Sequence, residues 1–207
     1  MFIGEYMSTS RIAQAPVDSQ FLQRWSGRVF SSAPLSEEQI KSLFEAARWA
    51  PSCFNEQPWL FVYASNGQDL SRLRPLLVEK NRLWTDRVPL LVVVLARRHF
   101  AHNGKPNRHA AFDAGASWMS LALQAHKMGL MAHAMAGFDE RNTYKVLNVS
   151  PERYEAMAMV AIGKYGNPTT LPAELLAAEK PSARKDGARV AVPLSDLPAL
   201  LLAGETP

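Results

Sequence analysis

The sequence predicts a layered α/β or α+β sandwich, and three observations carry that reading. Strand-length apolar segments alternate with helix-like segments in the order helix, strand, helix, strand, long helix, strand, helix, strand. Pro89–Ala96 is a continuous leucine and β-branched run, the pattern of a strand covered on both faces. The 207 residues amount to roughly one domain at ~150 residues each.

Each element has its own signal. Residues 1–20 are polar without periodicity and read as an N-terminal arm. Over 35–50, Ser36 and Gln39 form a capping-box pattern, Ile40, Leu43, Phe44 and Ala47 follow at helical spacing, and Pro51 stops the helix. After the loop PSCFNEQP, Trp59–Ala64 reads as a buried strand. Gln68–Leu77 reads as a short helix troubled by Pro75, and Asn81–Arg87 continues helix-like. A basic, His-rich connection spans 97–109. Ala110–Lys127 is the longest helix, with Ala111, Ala114, Gly115, Ser117 and Ala122 allowing a neighbour to approach closely, and Gly129 closes it as a C-terminal cap. Leu130–Met135 is a strand, Glu140–Leu147 a helix and Ala156–Ile162 a strand. From Tyr165 on, the text is loop-like, with Arg189–Val192 as a candidate extra strand.

Composition narrows the class. Hydrophobic residues are 47% and charged residues 20%, the balance of a globular chain rather than a disordered one. The N-terminus lacks a basic start and an apolar stretch, so no signal peptide is expected, and no run approaches the ~20 apolar residues of a membrane helix. The single cysteine, Cys53, excludes an intramolecular disulfide, and the expected compartment is cytoplasmic. The net charge of +4 is dispersed rather than gathered in a stripe, which argues against nucleic acid. Neither G-x-G-x-x-G nor G-x-x-x-x-G-K-[ST] occurs, so any nucleotide is held without a Rossmann fingerprint or a P-loop.

Two stretches carry candidate chemistry. In Arg24-Trp25-Ser26-Gly27-Arg28, two arginines bracket a hydroxyl, and a helical spacing would put both on one face. Forked cationic donors beside a neutral one suit a phosphate or a polarised carbonyl, although a solvated basic turn accounts for the same residues. In Pro51-Ser52-Cys53-Phe54-Asn55-Glu56-Gln57-Pro58, Ser52, Asn55 and Gln57 offer the neutral donors and acceptors that a planar heterocycle requires.

R-x-S-x-R followed by A-P-S-x-x-N-x-Q-P-W, then Ala114-Gly115, Gly129-Leu130, the segment Ala132 to Asp139 with its G-F-D, Ala161-Ile162-Gly163 and Ser182-Ala183-Arg184-Lys185 together resemble the FMN-dependent nitroreductase family over roughly residues 20–190. The resemblance implies an α+β, layered α/β/α sandwich with a mixed, mainly antiparallel sheet, assembled as a homodimer with FMN at the subunit interface. It implies an FMN-binding domain over 21–167 and an extension over 168–207 that completes it or wraps the partner. Arg24, Ser26 and Arg28 would hold the FMN phosphate and ribityl chain and approach the pyrimidine edge. Pro51, Ser52, Cys53, Asn55 and Gln57 would reach the flavin from the other subunit. Asn81 would contact it, Met135, Ala136 and Gly137 would line the isoalloxazine with a backbone N–H near N5, and Arg184 with Lys185 would close on the phosphate. Two positions depart from the family's pattern: Ala136 stands where many relatives carry an acid, and Ser182 where many carry a base.

The implied activity is an NAD(P)H-dependent oxidoreductase that reduces nitroaromatics, quinones or related acceptors in ping-pong order. Rivals are a dehalogenase-like or flavin-consuming enzyme of the same fold and a flavin carrier without turnover. The cofactor carries the redox chemistry, so no catalytic side chain is assigned. Cys53 reads as a small residue packed beside the cofactor, since its sequence neighbours offer no cation to stabilise a thiolate. His99, His102 and His109 lack metal-ligand spacing, and no metal is expected. Arg97, Arg98, Lys105 and Arg108 are candidates for attracting the nicotinamide donor or forming a lid. Phe112, Trp118 and Met119 are expected in a core or an interface.

Overall fold

The computed structural model describes residues 11–185, 187 and 190–194. Its elements are α1 (Ser19–Gln23), α2 (Glu37–Arg48), β1 (Trp59–Ala64), α3 (Gly67–Leu73), α4 (Glu79–Thr85), β2 (Leu90–Arg97), α5 (Ala110–Lys127), β3 (Leu130–Met135), α6 (Glu140–Leu147), β4 (Tyr154–Lys164) and α7 (Ala173–Leu176). The strands form one sheet in the order β1-β2-β4-β3, and all three pairings are antiparallel. Val93 lies opposite Val62 on one side and Met159 on the other, and His133 lies opposite Ala161.

The β2 run explains the layers. Successive side chains of a strand point to opposite faces. Leu90, Val92 and Val94 pack under α2 and α5 with Ile40, Leu43, Leu121 and Ala125. Leu91, Val93 and Leu95 pack on the other face with Leu70, Leu73, Leu77 and Trp84, joined by Tyr144 and Leu147 of α6. A strand that is apolar at every position therefore serves two helical layers. The α2 start is a capping box: Gln39 N–H donates to Ser36 Oγ at 3.1 Å, and Ser36 N–H donates to Gln39 Oε1 at 3.0 Å. Gly129 takes φ +69° just past the end of α5, a conformation glycine adopts without strain.

Three local expectations are corrected. β1 is not buried: it is the edge strand, and Leu60 and Tyr63 are exposed, because sheet position rather than composition decides coverage. Pro75 does not sit inside a continuous helix; α3 ends at Leu73 and a single 3-10 turn over Arg74–Leu76 takes up the proline. Residues 190–192 are turn and coil, not a strand, and Arg189 lies outside the described residues.

Candidate functional site

The segment from Arg24 to Arg28 is coil rather than helix, and Arg24 itself has extended backbone angles. Behind it the chain is clamped to the sheet: Gly166 N–H donates to Val29 O at 3.1 Å and Ser31 N–H to Lys164 O at 2.9 Å.

Glu179 fixes the segment from the other side. Its Oε1 accepts from Arg28 N–H at 2.7 Å and Val29 N–H at 3.1 Å. Its Oε2, buried and without a hydrogen-bond partner, lies 3.8 Å from the Arg28 guanidinium. Burial raises the Glu179 carboxyl above the usual range, against the pull of those two N–H groups and of Arg28. Gly27 packs closely: a Cβ there would displace the end of the Met131 side chain and the Glu179 carboxylate.

His133 on β3 supports the same turn. Its Nδ1 lies 3.0 Å from Gly27 O, and its ring packs 4.8 Å from that of Trp84. Trp84 shares α4 with Asn81, whose Nδ2 donates to Gly137 O at 2.9 Å. Val78 N–H donates to the same carbonyl at 3.1 Å. A Cβ on Gly137 would meet Val78 Cγ2 at 2.8 Å and Asn81 Nδ2 at 2.9 Å. Asn81 therefore holds the turn after β3, which carries buried Met135 and exposed Ala136.

The C-terminal segment joins the group. Arg184 is close enough to Arg24 for its charge to lower the Arg24 pKa, a shift led by burial. Among the described residues, no carboxylate lies within ion-pair distance of Arg24 or Arg184. Guanidiniums gathered without a counter-charge are costly by themselves and suit a dianion. The donor set therefore fits a phosphate, with neutral Ser26 and the residue 135–137 turn alongside. Lys185 is exposed, and among the described residues no hydrogen bond or ion pair joins it to the group.

Pro51, Ser52, Cys53, Asn55 and Gln57 lie elsewhere. They precede β1 at one edge of the sheet, while Gly27 lies against β3 at the other. Three strand spacings of ~4.8 Å separate the edges, roughly 14 Å. Among the described residues no hydrogen bond or ion pair joins the two groups. The loop is closed on itself and tied down. Gln57 N–H donates to Ser52 Oγ at 3.0 Å, and Cys53 N–H donates to buried Asp113 Oδ2 at 3.1 Å. Glu56 receives Arg97 Nη2 at 2.6 Å and the Ala101 N–H, with His102 Nδ1 at 3.2 Å. The Ala101 N–H, then His102 and Arg97, hold its carboxyl below the usual range. Phe54, Asn55 and Gln57 all have positive φ. Left-handed backbone at three non-glycine positions is stored strain, of order 1 kcal/mol each, and such strain collects at functional loops.

Arg97 pairs with Glu56 and Arg98 with Glu155. Among the described residues, no three His, Cys, Asp or Glu side chains gather as a metal site, and no helix is long and apolar enough to cross a membrane. Sequence reasoning missed Glu179, Asp113 and the structural roles of Glu56 and His133. An acid in the first turn of α5 is the one local signal for Asp113, and nothing in the sequence separates Glu179 from the other acids of the loop-like tail.

The family model described as "Nitroreductase family" matches residues 21–83 and 77–164. A solved structure described as an oxidoreductase containing FMN is 40% identical, with a TM-score of 0.85 over 90% of this chain and 96% of that one. A protein of Xanthomonas oryzae pv. oryzae named "Putative NADH dehydrogenase/NAD(P)H nitroreductase" is 28% identical over 60% of this chain and 73% of its own length. A nitroreductase family protein from Clostridium difficile 630, 18% identical with a TM-score of 0.59 over 84% of this chain and 91% of its own, shares the fold.

Proposed function

The chain belongs to the nitroreductase family, and from that premise we propose that it is a cytoplasmic, homodimeric, FMN-dependent oxidoreductase. It takes reducing equivalents from NADH or NADPH and delivers them to nitroaromatics, quinones or related electrophilic acceptors. The observation that carries the reading is the pair Arg24 and Arg184, guanidiniums with no carboxylate partner among the described residues, beside the clamped R-x-S-x-R segment. The FMN-containing relative at 40% identity supports it.

Bound FMN supplies hydride acceptance from the nicotinamide and then reduction of the acceptor in the same pocket, a ping-pong order. The residues of this chain bind and orient. Arg24 and Arg184 take the phosphate, and Ser26 adds a neutral donor. Arg28, aimed by Glu179, brings positive charge to the pyrimidine edge, where negative charge gathers on reduction. Asn81 holds the Gly137 carbonyl, which would position the backbone of residues 135–137 to line the isoalloxazine.

The split site supports the homodimer. Pro51, Ser52, Cys53, Asn55 and Gln57 cannot reach Arg24 across their own sheet, so a second copy brings them to the flavin. Phe112 at 80% and Trp49 at 73% exposure, on the outer side of the α2–α5 layer, suit the surface that such a copy covers.

The deciding experiment is a visible spectrum of the purified protein followed by anaerobic addition of NADPH or NADH. Yellow absorbance that bleaches supports the reductase. Yellow absorbance that persists with both donors points to a flavin carrier, and a colourless protein that takes up no FMN overturns the reading. Product analysis separates a general reductase from a dehalogenase-like enzyme. Cys53→Ser is expected to keep FMN and most turnover, because the polar group nearest its backbone is the Asp113 carboxylate, the wrong charge to stabilise a thiolate. Complete loss of turnover with FMN still bound would contradict this.

A further inference from the structure

The N-terminal arm reaches the segments that bear Arg24 and Arg184. Arg11 lies ahead of the residues matched by the family model, and Arg184 lies after them. Yet Arg11 Nε donates to Ser182 O at 3.1 Å, and its Nη1 donates to Leu22 O at 3.0 Å and Arg24 O at 2.9 Å. One side chain thus joins the arm, the residue that opens R-x-S-x-R and the segment bearing Arg184. A second tie runs beside it: Gly187 N–H donates to Gln14 Oε1 at 2.6 Å.

Among the described residues, the acceptors of Arg11 are backbone carbonyls, which carry no charge to cancel its own. Among the described residues it has no carboxylate at ion-pair distance. Burial lowers its pKa, and the charges of Arg184 and Arg24 lower it further. The guanidiniums of Arg11, Arg24 and Arg184 therefore gather here, and like charges held this close favour binding an anion. The backbone carbonyl of Ser182 accepts from Arg11, two residues from Arg184.

We propose that Arg11 is a third cation of the cofactor-phosphate site and the clasp that holds residues 182–184 against Arg24. This rests on the FMN reading above. Arg11 acts on the phosphate end alone, so its removal distinguishes flavins with and without a phosphate.

The test is a fluorescence titration of the cofactor-free dimer with FMN and with riboflavin, for the wild type, Arg11→Ala and Arg11→Gln. Gln keeps N–H donors for the carbonyls and removes the charge. The wild type is expected to prefer FMN over riboflavin, and both variants to lose FMN affinity by about tenfold or more with riboflavin affinity unchanged, the loss of one charge-assisted phosphate contact. Equal loss of both flavins would make Arg11 a purely structural tie and overturn the proposal. So would FMN affinity unchanged in both variants. If Arg11→Ala fails to fold, Arg11→Gln gives the same reading. A wild type that binds neither flavin refutes the FMN reading itself, an outcome visible before any variant is made.

Discussion

Gly166→Ala is expected to lower the stability of the protein by about 3 kcal/mol or more, and FMN affinity with it. A Cβ at 166 would lie 2.5 Å from both the carbonyl carbon and oxygen of Phe30 and 2.7 Å from the Ser31 nitrogen. These are backbone atoms, so no rotamer change relieves the clash. The segment 29–31 must retreat from β4, breaking the paired hydrogen bonds Gly166 N–H to Val29 O and Ser31 N–H to Lys164 O. Phe30 moves with it, and Phe30 is buried with its ring stacked 5.9 Å from Trp84. The same retreat drags Arg28 off Glu179, which couples the folding defect to the cofactor site. Urea denaturation gives the first effect and flavin titration the second. Gly67→Ala is the control, because a Cβ at the start of α3 meets nothing within 4 Å and should change stability little. A Gly166→Ala protein as stable as the control would show that segment 29–31 yields freely.

What was legible follows from the range of the signals. The α2 capping box, the span of α5 and the doubly covered β2 are local patterns, and the structure carries them where the residues put them. The helix that would put Arg24 and Arg28 on one face does not form, because hydrogen bonds to Lys164 and Gly166, far along the chain, hold the residues that follow against the sheet. The exposure of β1 was not legible, because an edge strand and a central strand can have the same composition. The ties of Glu179 to Arg28, of Asp113 to Cys53 and of Arg11 to Ser182 span 151, 60 and 171 residues. Pairings at such separation leave no local mark. The strain at Phe54, Asn55 and Gln57 was equally silent, as only asparagine among them commonly accepts a left-handed backbone.

His133 is expected to make the protein acid-sensitive in a defined window. Its pKa is lowered from 6.5 to about 4, first by burial and then by the charges of Arg28 and Arg24, against the opposing pull of the Gly27 and Ser26 carbonyls. The folded state therefore binds fewer protons than the unfolded one between those values. The contribution of this group is full above pH 6.5 and is lost as the pH falls toward 4. A depression of ~2.5 units corresponds to about 3 kcal/mol at most, of which about 2 kcal/mol is lost between pH 7 and pH 4.5. His133→Gln keeps an N–H for Gly27 O but cannot take up a proton there. Urea denaturation of both proteins at pH 7 and pH 4.5 isolates the histidine, since the carboxylates that also titrate, such as Asp139 and Glu56, are common to both. The variant is expected to lose about 2 kcal/mol less than the wild type on acidification. Equal losses would mean that His133 stays neutral in both folded and unfolded chains or charges freely in both, and either would separate it from the arginines that flank it. Because the ring bears directly on Gly27 O, within R-x-S-x-R, the same acid window should release FMN from the wild type at a higher pH than from His133→Gln.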